Sequence, residues 1–244
     1  MAHLYAELAG AYGNRGEYVN KAIDFYHLAI QADPSASYID EQLSEFYVQT
    51  GQLEKAMQEA NNLLKANPAN NEARKILARI YSRQIGDPDQ GRIDQTMLKN
   101  AIEQYQKITQ QDPKDTDSLS MLARLYRISH DDDAAEKAYR QVLQDDPNDD
   151  DAMNGLAMVY ADRGDLANAI TMLKQAIEKD PDQRTVLMLA EFYEQTNDFS
   201  HAADAMKQAL DLGDNNRIRG AWAIDLYKAG RDEEALAAFQ QLAA

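Results

Sequence analysis

Apolar residues recur along this chain at intervals of three and four positions, the spacing that places side chains on one face of an α-helix. Leu119, Leu122, Ala123 and Tyr126 show the pattern clearly, because they fall at positions i, i+3, i+4 and i+7. The apolar face of such a helix has to be covered by another element. The pattern therefore predicts an all-α protein in which amphipathic helices pack against one another.

The apolar segments are separated by a dipeptide that recurs at nearly constant intervals. It is Asp-Pro or Asn-Pro, at Asp33-Pro34, Asn67-Pro68, Asp112-Pro113, Asp146-Pro147 and Asp180-Pro181, so that the prolines are 34, 45, 34 and 34 residues apart. Proline lacks the backbone donor that a helix needs and restricts the residue before it, so each dipeptide predicts the end of a helix. A 34-residue period predicts a repeat of two helices and a turn.

Corresponding positions in successive repeats carry the same kinds of residue. Leu8-Ala9 and Tyr12 open the first copy, and the clearest pair of copies is Leu122-Ala123, Tyr126, Ala135 and Tyr139, then Leu156-Ala157, Tyr160, Ala169 and Leu173. The small residues let two helices approach closely, and the large ones fill the space between them. We count seven repeats, with approximate boundaries at 2–36, 37–70, 71–115, 116–149, 150–182, 183–215 and 216–244.

This arrangement resembles the tetratricopeptide repeat (TPR) family. The repeat of that family carries large, small and aromatic residues on its first helix, an alanine, an aromatic residue and an alanine on its second, and a closing proline. The resemblance covers nearly the whole chain. It implies a single solenoid over residues 1–244, a right-handed α-α superhelix of about seven helix-turn-helix repeats with a concave groove lined by the first helices. It also implies a scaffold or adaptor that binds proteins, not an enzyme.

One repeat departs from the common length. Ala101 follows Tyr81 by 20 positions, whereas Ala169 follows Tyr160 by nine, so 11 extra residues lie near 86–96. We expect an inserted turn and a lengthening of one or both flanking helices. A tolerated surface insertion is the favoured interpretation, because solenoid turns accept added residues at little cost, and a loop that contacts a partner is the alternative.

Composition and charge narrow the function classes. Cysteine is absent, which excludes disulfides, thiolate metal sites and cysteine nucleophiles. The formal net charge of -16 repels phosphate backbones and anionic lipid, so we expect a protein or peptide partner, no nucleic acid and no membrane insertion. No basic segment followed by an apolar one opens the chain. We expect a soluble bacterial protein, cytoplasmic as the sequence is written, or periplasmic if a signal peptide was removed.

Basic residues cluster on two of the predicted first helices. Lys75, Arg79 and Arg83 are spaced i, i+4 and i+8, and Arg124 and Arg127 are spaced i and i+3. Each set lies on one helical face, and in the concave groove that the resemblance implies they form a basic strip. This basic strip indicates a site for an acidic peptide segment or a carboxylate. The alternative is that its side chains pair with Glu72, Asp117 or neighbouring acids.

Three further residues complete the predicted partner-binding set on the groove wall, namely Met121, Asn154 and Met158. Met121 and Met158, together with Met188, predict an adaptable apolar floor, since thioether side chains repack around different partners. The alternative is that these methionines belong to the core. The clamp that some members of the family use for a terminal carboxylate is not matched, because Met121, Asp151 and Gly155 stand where its asparagine, lysine and arginine are expected.

The sequence contains only weak matches to the residue patterns of catalytic and metal-binding sites. His3, His27, His130 and His201 fall in different helical segments, so no two-histidine metal spacing exists. The run from His130 to Asp133 is explained by helix capping. The series Asp87, Asp89 and Gly91 only partly matches a calcium loop, because its glycine is displaced by one position. The sequence thus predicts no catalytic residue, no cofactor and no metal.

The sequence leaves three functional hypotheses. The first is an adaptor that binds a peptide or protein segment in the groove. The second is a self-assembly module that forms homo-oligomers through exposed terminal helices, because no polar capping helix covers Phe239 and Leu242. The third is the non-catalytic part of a larger protein, because the helical pattern runs to both ends of the sequence, and it admits an enzyme fragment only if a catalytic domain lies elsewhere in that protein.

Overall fold

The computed structural model describes residues 1–11, 16–33, 37–88 and 90–243, and in this part of the chain fourteen α-helices follow one another. They are α1 (Ala2–Ala11), α2 (Gly16–Ala32), α3 (Ser37–Gln49), α4 (Leu53–Ala66), α5 (Asn71–Gln84), α6 (Gln95–Gln111), α7 (Thr116–Ile128), α8 (Asp132–Asp145), α9 (Asp150–Asp162), α10 (Leu166–Lys179), α11 (Gln183–Gln195), α12 (Phe199–Leu212), α13 (Asn216–Lys228) and α14 (Asp232–Ala243). They form seven helix-turn-helix repeats, so the predicted all-α repeat fold is confirmed. The predicted positions Tyr12, Pro34 and Asp89 lie outside the described residues.

The helices are grouped in two compact units, Met1–Leu125 and Tyr126–Ala244. In the first unit, Ala22, Ala56 and Ala78 are fully buried where helices approach each other. Larger side chains fill the space beside them, and the rings of Tyr26 and Phe46 lie 6.0 Å apart. Small and large residues therefore interdigitate as close packing requires.

The second unit repeats one pattern of burial along its first helices. Ala157, Ala190 and Ala223 occupy the same position of α9, α11 and α13, and each is fully buried. Tyr160 and Tyr193, which follow the first two alanines by three residues, are both half-buried. A position that is buried in every repeat requires each helix pair to stack on its neighbour, since one pair cannot cover its own apolar faces.

Aspartate and asparagine side chains start most of the helices. The residues that accept a hydrogen bond from a backbone amide of the first helical turn are Asn70, Asp94, Asp115, Asp131, Asp149, Asp165, Asp182, Asp198 and Asn215. Each such cap contributes about 1 kcal/mol. Part of the acidity of the chain is therefore a consequence of capping many short helices.

The insertion in the third repeat forms a β-hairpin, which the sequence did not predict. Strands β1 (Gly86–Asp87) and β2 (Arg92–Ile93) pair antiparallel, with Gly86 opposite Ile93. A side chain at Gly86 would place its Cβ 2.3 Å from the Arg92 carbonyl oxygen, so only glycine fits there. The predicted lengthening of a flanking helix is present in α6, which has 17 residues against 14 in α4.

The turn inside each described repeat of the second unit passes through the left-handed region of backbone space. Gly164 and Gly230 have φ of 77° and 74°, and the equivalent residues of the neighbouring repeats are His130 and Asn197, with φ of 60° and 59°. The amide after each of these residues closes the preceding helix, as when Asp131 donates to the Tyr126 carbonyl at 2.9 Å. His130 is thus a turn residue just before α8 and not a member of a reactive cluster.

Replacing His130 with glycine should therefore stabilise the protein. A side chain in the left-handed region is strained, whereas glycine adopts this conformation freely at some entropic cost to folding, so we expect a gain of about 0.5–1 kcal/mol. Urea unfolding followed by circular dichroism would measure it. The reverse change, Gly164→Ala at the equivalent position, should destabilise the protein, and a loss of stability in His130→Gly would contradict this account of the turn.

Candidate functional site

The cations of α5 are largely engaged with acids of the first unit. Lys75 Nζ lies 2.8 Å from an oxygen of Asp115 and 3.5 Å from one of Glu72. The hydrogen bond with Asp115 raises the pKa of the Lys75 ammonium, because it stabilises the charged form. Arg79 forms an ion pair with Glu45 on α3. Two of the four cations on this helix, Lys75 and Arg79, are thus paired with acids from outside the helix.

Two arginines of the basic strip remain available in the first unit. Arg83 near the end of α5 and Arg124 on α7 are both exposed, and neither has an ion pair or hydrogen bond with any residue in the described part of the chain. In the second unit, Arg127 Nη1 lies 3.0 Å from an oxygen of Asp162. The expected pairing with neighbouring acids therefore applies to Lys75, Arg79 and Arg127, although the partner of Lys75 is Asp115 and not Asp117.

The apolar and polar members of the predicted set lie deeper than the cations. Met121, Met158 and Met188 are half-buried, and the last two pack against the core of the second unit. Asn154 is only 5% exposed, and its Nδ2 donates to the Thr185 hydroxyl at 2.7 Å. These residues therefore support the core as much as they line a surface.

The close packing of Gly155 explains one departure from the carboxylate clamp. A Cβ at this position would lie 2.2 Å from the ring of Tyr139 on α8, which is itself buried. No long side chain fits there without moving that ring. The arginine that the clamp requires at this position is thus incompatible with the packing between α8 and α9.

A pocket of about 500 Å³ opens in the first unit. We call it the tyrosine pocket, and the residues that define it are Tyr26, Tyr38, Glu41, Gln42, Glu45 and Phe46. Tyr38 is 59% exposed, and Glu45 is the ion-pair partner of Arg79. The pocket combines aromatic side chains with two half-buried carboxylates, of which Glu41 accepts a hydrogen bond from Asn70 and Glu45 pairs with Arg79.

A second pocket of about 380 Å³ lies in the second unit, at the beginnings of α9 and α11. We call it the aspartate pocket, and the residues that define it are Asp149, Asp150, Asp151, Asn154, Asp182 and Arg184. Arg184 Nη1 lies 3.6 Å from an oxygen of Asp151, and both side chains are mostly exposed. Only Asn154 among these residues was predicted from the sequence to bind a partner.

A buried carboxyl group in the second unit was missed by the sequence analysis. Asp225 on α13 is 1% exposed and faces Glu194 on α11. Burial and then the nearby Glu194 carboxyl raise the pKa of Asp225 to about 7, while Lys228 opposes the shift. The only signal in the sequence was an acid next to the apolar positions Ala223 and Leu226.

Other chemical groups of the described residues serve local structure. His201 Nδ1 lies 2.8 Å from Asp198, the N-cap of α12, and the His201 ring stacks on Tyr193. Among the residues with described positions, no three His, Cys, Asp or Glu side chains form a group that could hold a metal ion. None of the described helices is both long enough and apolar enough to cross a membrane.

The last two helices carry several apolar side chains in solvent. Tyr227 on α13 and Leu236 on α14 are 68% and 60% exposed, and Ile224 and Phe239 are nearly half exposed. Leu242, which the sequence analysis placed beside Phe239, is half-buried. Self-association through this face stays a prediction.

Comparison with known proteins places this arrangement among repeat proteins. The family model described as the tetratricopeptide repeat matches residues 19–80, 92–157, 127–186 and 160–224. Comparison with the sequences of curated proteins gives no match.

Several solved structures have a similar fold, and three of them are compared here with this chain. A tetratricopeptide repeat protein from Parabacteroides merdae has a TM-score of 0.68 at 15% identity, over 99% of this chain and 91% of that one. PilW, a type IV pilus biogenesis factor, has a TM-score of 0.65 at 17% identity, over 85% of this chain and 92% of its own. YrrB, a TPR protein with an unusual peptide-binding site, has a TM-score of 0.61 at 16% identity, over 79% of this chain and 94% of its own. At these identities the similarity concerns the fold alone.

Proposed function

Because the chain belongs to the tetratricopeptide repeat family, we propose that it is a non-catalytic scaffold that binds an acidic segment of a partner protein through Arg83 and Arg124. The family is generally an interaction module. The observation that carries the finer proposal is that these two cations stay exposed and unpaired within the described residues of a chain with a net charge of -16. In so acidic a protein, cations without a neighbouring acid are available to a carboxylate from outside.

The paired cations can contribute to the same binding. Exposed ion pairs are each worth only about 0–1 kcal/mol, so a partner carboxylate can take the place of an internal one at small cost. The Glu72 oxygen, at 3.5 Å from Lys75, is the weaker of the two acid contacts of that lysine. YrrB, whose peptide-binding site is described as unusual, illustrates that a peptide site occurs on this fold.

Charge reversal at the two free arginines tests the proposal. We expect Arg83→Glu/Arg124→Glu to weaken binding of a fluorescein-labelled glutamate-rich decapeptide by about tenfold or more, because two attractive charges become repulsive. Fluorescence anisotropy at low salt measures the affinity, and the corresponding glutamine peptide reports the charge-independent part.

The matched control reverses two exposed lysines on second helices of the same unit, Lys65→Glu/Lys99→Glu. It changes the net charge equally, so we expect it to weaken binding much less than the arginine variant. Equal affinities of the wild type and the arginine variant, with melting temperatures unchanged, would refute the proposed site.

A further inference from the structure

We propose that the chain binds a second copy of itself head-to-tail, so that α1 of one copy packs on α13 and α14 of the other. The contact would reproduce the junction between two successive repeats. This inference goes beyond the acidic-segment site of Arg83 and Arg124, because it involves neither arginine and a different surface. It is carried by positions that are buried wherever one repeat follows another and exposed in the first and last helix pairs.

The first of these positions lies on the first helix of each repeat, five residues before the small residue that is fully buried there. In α1 it is Leu4, which is 50% exposed. In the six later repeats it is at most 8% exposed, and its residues are Ile39, Ala73, Ser118, Ala152, Thr185 and Ile218. The preceding repeat covers it, since Ile218 lies in one core cluster with Met206 of α12. Leu4 is thus the exposed half of a contact that the later repeats make.

The same change occurs at the position seven residues further along the first helix. In α1 it is Ala11, which is exposed. In the later repeats it is buried, and its residues are Phe46, Ile80, Leu125, Val159, Phe192 and Asp225. Residues seven apart lie on one face of a helix. Leu4 and Ala11 therefore form one face of α1, which we call the leading face, and the equivalent face of each later repeat is covered.

The other half of the contact lies on the second helix of each repeat, four residues after its buried alanine. In the first six repeats this position is at most 6% exposed, and its residues are Tyr26, Ala60, Tyr105, Tyr139, Leu173 and Met206. In α14 it is Phe239, which is 44% exposed. Leu236, one turn before it, and Tyr227 on α13 are more exposed still. We call Tyr227, Leu236 and Phe239 the trailing face.

A second copy is the occupant whose surface matches the trailing face. Inside the chain, the junction of α12 and α13 brings Ile218 and Met206 into one core cluster. A contact of Leu4 with Phe239 would join an aliphatic and a large apolar residue at the same two positions. Among the described helices, α1 is the one first helix that leaves this pattern exposed, so the chain carries the complement of its own last repeat.

The charge of the chain predicts how such an association responds to salt. A net charge of -16 on each copy opposes the contact, whereas burial of apolar side chains drives it. Salt screens the repulsion, so we expect self-association to strengthen as the salt concentration rises. Binding of an acidic peptide by Arg83 and Arg124 should respond in the opposite direction, because salt screens an attraction there.

Sedimentation velocity of the full chain over an about hundredfold range of protein concentration tests the proposal. We expect the average mass to rise with concentration and to pass that of a dimer. A head-to-tail contact leaves one leading face and one trailing face free in every oligomer, so further copies can add. The same measurement at low and high salt tests the expected strengthening.

Two charge variants each block one face. Leu4→Glu changes the leading face and Phe239→Glu the trailing face, and each should weaken self-association by about tenfold or more, because a carboxylate would be buried in an apolar contact. Mixed in equal amounts, the two variants should form a one-to-one complex, since each retains the face that the other has lost. Leu236→Glu, at a more exposed position, replaces Phe239→Glu if that variant has a lowered melting temperature.

The matched control is Leu28→Glu on α2. Leu28 is 57% exposed, but it lies six residues after the buried alanine, where other repeats carry the exposed residues Gln175, Gln208 and Gln241. It is therefore outside the junction, and the variant should self-associate like the wild type. Arg83→Glu/Arg124→Glu should do the same, so a failure of the acidic-segment proposal is visible separately.

Three results would overturn the inference. The first is a wild-type chain that stays monomeric over the whole range, which would leave the trailing face to a different partner. The second is equal association of Leu4→Glu and the wild type, which would show that two trailing faces pair with each other. The third is the absence of a complex when the folded variants Leu4→Glu and Phe239→Glu are mixed.

Discussion

Replacing Gly155 with alanine is expected to lower the free energy of unfolding by about 2 kcal/mol. The new Cβ would lie 2.2 Å from Cζ of Tyr139, far inside van der Waals contact, and the Tyr139 ring is buried between α8 and α9. Overpacking of this kind costs about 1–3 kcal/mol or more, and it has to exceed the gain of about 1 kcal/mol that alanine brings to a helix interior. Urea unfolding of the full chain measures the net effect.

The second unit supplies a control, a glycine whose replacement by alanine should raise the free energy of unfolding instead of lowering it. Gly220 is also inside a helix, but a Cβ there would meet only Leu242 Cδ1 at 3.9 Å, an ordinary contact. We expect Gly220→Ala to stabilise the protein by up to about 1 kcal/mol. Shortening the obstructing side chain, in Gly155→Ala/Tyr139→Leu, should cost less than the sum of the single changes. A neutral or stabilising effect of Gly155→Ala would show that the two helices do not approach so closely.

Replacing Asp225 with asparagine is expected to raise the stability at pH 8 and to reduce its dependence on pH. The folded state holds a proton on Asp225 up to a pKa of about 7, whereas the ordinary value is 3.8. The folded state therefore binds more protons between these values, and stability falls as the pH rises from about 4 to 7. At about 1.4 kcal/mol per pKa unit, the penalty above pH 7 is at most about 4 kcal/mol.

We expect the Asp225→Asn variant to recover about half of that penalty. The substituted amide is neutral at every pH and can donate to the Glu194 carboxylate, but it has to be satisfied within the core. Thermal unfolding at pH 5 and pH 8 should show the wild type losing stability with rising pH and the variant losing less. Glu194→Gln should also reduce the dependence of stability on pH, since the Glu194 charge helps to raise the pKa of Asp225. Lys228 and the nearby Glu191 are unchanged in both variants. Parallel profiles for the wild type and both variants would contradict a titrating Asp225.

The candidate binding residues show how far a charge pattern can be interpreted. The spacing of Lys75, Arg79 and Arg83 indicated one helical face, but it could not identify the acids that approach from other helices. Asp115 and Glu45 lie 40 and 34 positions away from the cations that they pair with. Those pairs decide which cations remain available to a partner, and they exist only because the helices stack.

The sequence analysis missed Asp150 and Asp225 for the same reason, because the groups that surround them come from distant parts of the chain. Asp150 lies in a run of aspartates that resembles many helix starts of this chain, and Asp225 lies in a helix with other polar residues. Nothing local distinguishes them from exposed acids. Burial is the main cause that raises the pKa of each, and acids outside their own helices add to it, such as Asp182 for Asp150 and Glu194 for Asp225.

The sequence by itself determined the seven helix pairs, the residues that stop and cap the helices, and the small and large positions of the core, because all of these depend on spacing within about one repeat. Only the tertiary structure decided that the insertion forms a hairpin, that Gly155 must lack a side chain, which cations are paired, and where acids are buried. The physical reason is that packing, ion pairing and desolvation depend on groups that are distant in sequence, and the contacts between helices bring those groups together.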